Sequence, residues 1–236
     1  MDKSDMNIKE FDLDQIPKFA TVLILACRRS GKSVLCRHWL WKEFIKKRKI
    51  KNLVICSPTI FNHDYKFIDD KFKFTSFDKE FLNKILTRQE NLIKQDPKGN
   101  HEMVLLLDDI IKSTTNETKD LLSRLFTLSR HYQLTILLCS QSLRHECTPC
   151  VRFNTDIVVN FQSRNYDNKK EICDLWLGFG KKESRDEAFE ILDEVAQGYR
   201  AMVIDNTSHS NELSDIVYHY EVDVENSVPR RFYFNG

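Results

Sequence analysis

Residues 21–33 read TVLILACRRSGKS, and this stretch determines the fold class. Its first half, Thr21–Ala26, is a continuous apolar run, which is typical of a strand covered on both faces of a parallel sheet. After it, Ser30–Lys46 carries apolar residues at the spacing of one helical face. A Gly-Lys-Ser turn between a buried strand and a helix is the context of a phosphate-binding P-loop, and a chance occurrence of these residues in a loop is the alternative.

The P-loop predicts which residues bind ATP and Mg²⁺. Backbone amides at a strand end and a helix N-terminus form a cradle for phosphate. Gly31 lets the backbone turn, Lys32 is expected to face solvent and reach the β- and γ-phosphates, and Ser33 is expected to ligate Mg²⁺. Ala26 stands where the motif has its first glycine, and its methyl group fits if φ is negative. The predicted nucleotide-binding residues are Ala26, Cys27, Arg28, Arg29, Ser30, Gly31, Lys32, Ser33 and Val34.

Two consecutive acids follow the apolar run Met103–Leu107. Open α/β sheets bind ligands at the carboxyl ends of their strands, so these carboxylates are expected at the phosphate site. We predict that Asp108 is a Mg²⁺ partner and that Asp109 is the general base that activates the attacking water. Asp109 is one methylene shorter than the glutamate that many P-loop ATPases use, so slow hydrolysis or an adjusted geometry is expected. An acid pair that only caps the following turn is the alternative.

A third polar motif, Ser140-Gln141, follows the apolar run Leu134–Cys139. Gln141 is predicted to sense the γ-phosphate, and an amide that caps an adjacent loop is the alternative. A further strand, Leu53–Cys56, is expected to lie between the P-loop strand and the strand that ends in the acid pair. This arrangement of strand, acids and sensor resembles the additional-strand class of P-loop ATPases.

Apolar runs that alternate with amphipathic segments predict an α/β fold with a mainly parallel sheet of five core strands flanked by helices. The five strands are expected at 21–26, 53–56, 103–107, 134–139 and 157–161. We interpret residues 1–236 as a single domain with a core at about 18–162. The extension at about 163–236 is expected to add two helices (169–176 and 183–196) and two strands (199–204 and 216–222).

The segment SRHYQLTILLCSQ, residues 129–141, places Arg130 eleven residues before Gln141. This spacing resembles the arginine-plus-glutamine signature of the FtsK–HerA superfamily of ring-forming DNA translocases. Together with RRSGKS and the acid pair, it resembles the poxvirus-type DNA-packaging ATPases of large eukaryotic DNA viruses and virophages. The resemblance covers about residues 20–161.

The resemblance implies an ATPase that moves double-stranded DNA into a preformed viral capsid. It implies that Lys32, Ser33 and Asp108 bind ATP and Mg²⁺, that Asp109 and Gln141 act in catalysis, and that Arg130 is a finger inserted into the site of a neighbouring subunit. Its implied partners are non-specific double-stranded DNA, further copies of the chain in a pentameric or hexameric ring, and components of the capsid vertex or portal.

Composition indicates the overall charge and the location of the protein, and it does not indicate which reaction it catalyses. Lys+Arg 36 against Asp+Glu 35 gives a net charge of +1, so any DNA-binding surface must be local, and weak overall attraction suits a translocase that must release phosphates. Seven scattered cysteines indicate reduced thiols, and a charged N-terminus lacks a signal-peptide core. No apolar run approaches the roughly 20 residues of a membrane span. We therefore expect an intracellular location, in the host cytoplasm or a viral factory, with transient presence at the capsid vertex.

Four weaker features carry open interpretations. His145, Cys147 and Cys150 have the spacing of three zinc ligands but lack a second pair, so incidental thiols in a loop are favoured. Cations from Lys46 to Lys51 complement a helix dipole or contact DNA. Lys112, Ser113 and Thr114 suit non-specific contacts to a DNA backbone. The additional finger or sensor candidates are Arg144, Arg152 and Arg164.

Two other functions remain open from the sequence. One is a cellular or plasmid DNA-pumping ATPase of the same superfamily, against which the short chain argues, because such proteins usually carry additional domains. The other is a nucleotide-binding assembly protein that does not hydrolyse ATP. The P-loop lysine and both acids argue against it, whereas Ala26 and the short side chain of Asp109 favour it.

Overall fold

A computed structural model describes residues 8–60, 65–110, 115–178, 182–210 and 212–222. Within these residues, eight strands form one sheet. The strands are β1 (Thr21–Leu25), β2 (Asn52–Cys56), β3 (Lys73–Phe74), β4 (Met103–Asp108), β5 (Leu134–Ser140), β6 (Ile157–Asn160), β7 (Ala201–Asp205) and β8 (Val217–Tyr220). The five predicted core strands are all present, and the two-residue β3 is an addition that the sequence did not indicate.

The strands lie in the order β3-β2-β4-β5-β1-β6-β7-β8. The first six are parallel, whereas β7 pairs antiparallel with β6, and β8 pairs antiparallel with β7. The predicted α/β fold with a mainly parallel sheet is therefore confirmed. The predicted strands at 199–204 and 216–222 are β7 and β8, and they extend the same sheet.

Helices connect the strands and cover both faces of the sheet. They are α1 (Lys32–Trp39, continued by a π-helical segment Leu40–Lys47), α2 (Lys79–Gln95), α3 (Asn116–Leu128), α4 (Leu143–Glu146), α5 (Pro149–Phe153), α6 (Tyr166–Ile172, continued by a π-helical segment Cys173–Leu177), α7 (Lys182–Val195) and α8 (Leu213–Ile216). In the described part of the chain, short 3₁₀ turns lie at Leu13–Gln15 and Asp70–Phe72. Among the described helices, each is too short or too polar to span a bilayer.

The strand that separates the P-loop strand from the acid strand is not the one that chain order suggested. Leu53–Cys56 lies between them in the sequence, but in space it belongs to β2, on the far side of β4. The inserted strand is β5, which pairs with β1 on one side and with β4 on the other. Parallel strands are joined by crossover connections, which can place a later strand between two earlier ones.

Alternating residues of the central strands supply two apolar cores, one on each face of the sheet. Leu23 and Leu25 of β1 face the core formed with α2, α3 and α7. Val22 and Ile24 face the core formed with α1 and its π-helical continuation. All five residues of β1 are buried, so the strand that carries the P-loop is held from both sides.

Arg48 belongs to the cationic run Lys46–Lys51, but its guanidinium lies inside the fold. It donates to Glu43 at 2.7 Å and to Glu102 at 3.4 Å, and also to the backbone carbonyls of Ile16 and Pro17. Both carboxylates are almost fully buried. Arg48 therefore neutralises two buried acids and is not a surface cation.

Replacing Arg48 with alanine is expected to lower the free energy of unfolding by about 3–5 kcal/mol, because two buried carboxylates lose their only cation among the described residues. Urea unfolding measures this change, with Lys51→Ala, an exposed member of the same run, as the matched control. The control is expected to stay within about 0.5 kcal/mol of the wild type. Equal stabilities of the two variants would contradict the role given to Arg48.

Candidate nucleotide-binding site

The P-loop connects the carboxyl end of β1 to the N-terminus of α1. Gly31 caps α1 with φ of 100°, in the left-handed region that disfavours side chains. A Cβ atom there would lie 3.3 Å from Tyr199 Cδ1 and 3.5 Å from Phe161 Cε1, so a side chain would also be crowded. Ala26 is not among the described residues with positive φ, whereas Arg29 is, with φ of 64°. The alanine that replaces the first glycine is thus accommodated without backbone strain.

Lys32 forms an ion pair with the acid that follows the apolar run of β4. Its Nζ lies 2.8 Å from Asp108 Oδ1 and 3.9 Å from Asp109 Oδ1. The Lys32 side chain is only 15% exposed, so the expectation that it faces solvent is wrong. Burial lowers the pKa of Lys32, but Cys139 and the two aspartates raise it by more, and the net effect is a raised pKa. Lys32 therefore keeps its positive charge in the site.

Asp109 and Gln141 lie side by side at the carboxyl edge of the sheet. Gln141 Nε2 donates a hydrogen bond of 3.0 Å to Asp109 Oδ1. Asp109 has φ of 58°, a left-handed conformation that few residues other than glycine, asparagine and aspartate adopt readily. Asp109 is therefore a residue type that this backbone conformation accepts.

The backbone around Gln141 is fixed by a carboxylate that the sequence reasoning did not single out. Glu146 Oε2 accepts hydrogen bonds from the backbone N–H of Gln141 at 2.8 Å, the N–H of Ser142 at 3.3 Å and the hydroxyl of Ser140 at 2.6 Å. On the other side, Asn168 Nδ2 donates to the Gln141 carbonyl at 3.0 Å. Glu146 and Asn168 are therefore positioning residues for the Gln141 loop.

Replacing Glu146 with alanine is expected to lower kcat for ATP hydrolysis about 10- to 100-fold, because the amide of Gln141 loses its fixed position beside Asp109. KM for ATP is expected to change little, because Glu146 has no described contact with the P-loop. Steady-state kinetics separates the two parameters, and Glu90→Ala, which removes an exposed carboxylate on α2, is the control. A wild-type kcat for Glu146→Ala would contradict this positioning role.

The P-loop and the residues after β4 and β5 surround one cleft of about 370 Å³. Its lining consists of Ala26, Cys27, Arg28, Arg29, Gly31, Lys32, Ser33, Val34, Asp109, Gln141 and Tyr199. The structure thus brings most of the predicted nucleotide-binding residues together with the predicted base and sensor. Tyr199 is an unexpected member, since the sequence carries no motif around it.

The oxygen ligands at the site fit Mg²⁺. Mg²⁺ prefers hydroxyl, carboxylate and phosphate oxygens, and Ser33 with Asp108 offers the first two. Asp108 Oδ1 is paired with the ammonium of Lys32, so this carboxylate already holds a cation. Tyr65 donates a hydrogen bond of 3.5 Å to the other oxygen, Oδ2, and so orients the carboxylate.

Arg130 lies at the opposite, amino edge of the sheet, as expected from its place in the sequence. Its guanidinium pairs with Asp156, which also accepts hydrogen bonds from the backbone N–H and the hydroxyl of Thr21. Thr21 begins β1 and the P-loop follows its last residue, so five strand residues separate the two ends by roughly 16 Å. The Arg130 side chain is 70% exposed, which leaves it accessible to a neighbouring molecule.

The remaining arginine candidates differ in exposure. Arg144 and Arg164 are exposed in segments that follow β5 and β6 at the carboxyl edge. Arg152, on α5, pairs with Glu171 at 3.3 Å and is only 19% exposed, so it is engaged within the fold. Lys112, Ser113 and Thr114 lie outside the described residues.

The predicted zinc-spacing cluster is not assembled as a metal site in the described residues, where no group of three suitable ligands is found. The side chain of His145 lies outside them. Cys147 is buried, and Cys150 contacts Thr127 and Asn154. All seven cysteines are free thiols.

Comparison with known proteins places this fold and site in a family. A family model described as poxvirus A32 protein matches residues 8–229. The chain belongs to the poxvirus A32 protein family. This A32-family chain is 28% identical to an uncharacterized protein of Acanthamoeba polyphaga mimivirus, over 94% of the chain and 79% of that protein. It is 27% identical to an uncharacterized protein of Invertebrate iridescent virus 3, over 99% of the chain and 91% of that protein.

Solved structures with the same fold include a viral packaging enzyme. The genome packaging NTPase B204 from Sulfolobus turreted icosahedral virus 2, in complex with ATP-gammaS, aligns with a TM-score of 0.60 at 16% identity, over 86% of this A32-family chain and 97% of B204. The complex of B204 with AMPPCP aligns with a TM-score of 0.59 at 17% identity, over 86% and 97%. At these identities the likeness shows the P-loop NTPase fold.

Proposed function

We propose that this A32-family chain is an ATP-driven translocase that moves double-stranded DNA into a preformed viral capsid. One observation carries the proposal: Lys32, Asp109 and Gln141, predicted from three separate motifs, line one cleft, where Gln141 bonds Asp109 and Lys32 pairs with the adjacent Asp108. The reported relatives are viral proteins, which favours a packaging role over a cellular or plasmid DNA pump.

Nucleotide binding changes the ionic partners of Lys32 and Asp108. The phosphates of ATP lie against the P-loop amides, and the ammonium of Lys32 moves from Asp108 to the β- and γ-phosphates. Asp108 would then be free to hold Mg²⁺ together with Ser33. When bound there, the metal would neutralise negative charge on the phosphates. Pairing Lys32 with Asp108 in the absence of nucleotide keeps both charges compensated in a largely buried place.

Hydrolysis depends on Asp109 and Gln141. Asp109, which lines the cleft, accepts a proton from the attacking water. Gln141 donates a hydrogen bond to the same carboxylate and lines the same cleft, where we expect it to sense the γ-phosphate. This paired arrangement favours a protein that hydrolyses ATP over one that binds nucleotide without turnover.

Arg130 acts in a neighbouring subunit of a pentameric or hexameric ring. It lies a strand length away from the P-loop of its own chain, so its charge cannot stabilise its own phosphoryl transition state. Asp156 holds the exposed guanidinium at that edge. The proposal requires the cleft of the next subunit to lie against this edge. An arginine supplied in this way raises turnover about 10³- to 10⁵-fold in known cases.

Mixing two inactive variants tests whether each active site takes Lys32 from one subunit and Arg130 from its neighbour. Lys32→Ala and Arg130→Ala are each expected to be inactive alone, whereas mixed rings should recover part of the activity, because some interfaces then join an intact Lys32 to an intact Arg130. ATP turnover of the wild type is expected to rise steeply with protein concentration. If rings shown to contain both variants recovered no activity, Arg144 or Arg164 would become the candidate for the arginine finger. If a monomer hydrolysed ATP at a rate independent of protein concentration, an arginine finger supplied by a neighbouring subunit would be contradicted.

The translocase proposal itself is tested by ATP turnover with and without double-stranded DNA. We expect stimulation by duplexes of any sequence, because contacts to phosphates carry no sequence information. Stimulation should weaken as salt increases, since binding to phosphates releases counterions. Turnover that is the same with and without duplex DNA would contradict the proposal. Such a protein would act in the host cytoplasm or a viral factory, and transiently at the capsid vertex or portal.

A further inference from the structure

Tyr199 is an exposed aromatic residue at the edge of the nucleotide cleft. Its side chain lines the same 370 Å³ cleft as the P-loop, and the residue is 69% exposed. Its ring edge lies 3.3 Å from the position that a Cβ on Gly31 would occupy. Because it lines the cleft, this exposed ring is available to contact a ligand bound there.

The sheet order places Tyr199 on the opposite side of the P-loop from the acids. Asp109 follows β4 and Gln141 follows β5, both on one side of β1. Tyr199 precedes β7, two strands away on the other side. Because β7 runs antiparallel to β6, its first residues lie at the same edge as the carboxyl end of β1. Neighbouring strands are about 4.8 Å apart, so Tyr199 lies roughly 10 Å along the edge from the P-loop strand.

The turn that carries Tyr199 is held in place by its neighbours. The backbone N–H of Arg200 donates to the Gln197 carbonyl at 3.0 Å, and Gly198 takes φ of 61° to close the turn. The Arg200 guanidinium donates to the carbonyls of Val195 at 2.8 Å and Glu194 at 2.6 Å. The ring is therefore presented to the cleft by a fixed turn between α7 and β7, which reduces the ordering cost of binding.

We infer that Tyr199 stacks on the base of the bound nucleotide. The inference rests on the proposed function, since it requires ATP in this cleft. The γ-phosphate lies toward Asp109 and Gln141, so the nucleoside extends across Gly31 toward β6 and β7, where Tyr199 presents its ring. A planar heterocycle covers an aromatic face without needing a hydrogen-bond partner.

Stacking has a consequence for selectivity. Every base has a π-face, so an aromatic contact adds affinity without distinguishing bases. Tyr199 is accordingly expected to strengthen the binding of ATP and GTP by similar factors, while inorganic triphosphate, which lacks a base, gains nothing from it.

Equilibrium binding of ATP, GTP and inorganic triphosphate, each with Mg²⁺, tests the inference on the full chain. The variants are Tyr199→Ala, Tyr199→Phe, which keeps the ring, and Phe153→Ala. Phe153 is the control because it is 74% exposed at the end of α5, before β6 at the amino edge of the sheet. For Tyr199→Ala we expect Kd for ATP and GTP to rise about 5- to 100-fold and Kd for triphosphate to stay unchanged. Tyr199→Phe and Phe153→Ala should bind all three ligands like the wild type.

Three results would overturn the inference, and only one of them would also contradict the proposed function. An unchanged Kd for ATP in Tyr199→Ala would mean that the ring does not contact the base. An equal loss of ATP and triphosphate binding would mean that the ring supports the P-loop at Gly31 instead. Failure of the wild type to bind either ATP or triphosphate would remove the proposed function together with the stacking, whereas the first two results leave the proposed function intact.

Discussion

Replacing Lys32 with alanine is expected to lower ATP turnover by about 10²- to 10³-fold, because the variant lacks the partly buried cation that stabilises charge on the transferred phosphoryl group. Affinity for ATP should fall as well, since the ammonium contacts the phosphates in the ground state. Steady-state turnover and equilibrium binding with Mg²⁺ measure the two effects. The expected loss is large because Lys32 is 15% exposed and keeps its charge, and such a charge acts in a low dielectric.

The same substitution leaves Asp108 with no ammonium beside it, so its effect on the fold must be measured separately. Lys42→Ala, an exposed lysine on the π-helical continuation of α1, is the matched control and should retain turnover. Mg²⁺ is expected to stabilise Lys32→Ala against thermal unfolding more than it stabilises the wild type, because the metal finds Asp108 uncompensated. Normal ATP turnover in a folded Lys32→Ala variant would mean that the P-loop is not the site of hydrolysis.

Asp109→Asn is expected to bind ATP and Mg²⁺ like the wild type but to lose turnover by about 10²- to 10⁴-fold, the usual contribution of a general base. Asparagine is a close structural match here. It retains an oxygen that can accept the hydrogen bond from Gln141, and it tolerates the φ of 58°. The variant therefore removes the basic group with little change in geometry, and binding and turnover measured together isolate its role.

Asp108→Asn provides the contrast. It should weaken Mg²⁺-dependent ATP binding as well as turnover, because it removes the carboxylate that pairs with Lys32 and is proposed to hold the metal. If Asp109→Asn hydrolysed ATP at the wild-type rate, the base would lie elsewhere and Asp109 would be a turn cap. If Asp108→Asn bound ATP and Mg²⁺ normally, the metal assignment would be wrong.

Strand positions and the P-loop were predictable because they depend on local patterns. A solid apolar run such as Thr21–Ala26 indicates a covered strand, and a Gly-Lys-Ser turn needs its glycine at a positive φ, as Gly31 has. The meeting of Asp109 with Gln141 also followed, because parallel strands end at the same edge.

Features that depend on tertiary packing were not predictable. The position of β5 between β1 and β4 reverses the chain-order expectation for Leu53–Cys56, because strand order is set by crossovers rather than by any one segment. The Lys32 side chain was expected to face solvent, because the P-loop motif does not indicate that its ammonium pairs with Asp108. Tyr199 and Glu146 reach the site from separate turns, and no local spacing marks either of them.

The most direct test of the account is displacement of a third DNA strand bound to a duplex, since only movement along the duplex removes it without melting the two strands beneath. Wild-type protein with ATP and Mg²⁺ is expected to displace the third strand regardless of duplex sequence. Asp109→Asn, which should still bind ATP and the duplex, is expected to displace none. Wild-type protein that hydrolyses ATP on duplex DNA without displacing the third strand would contradict the translocase, as would displacement by Asp109→Asn.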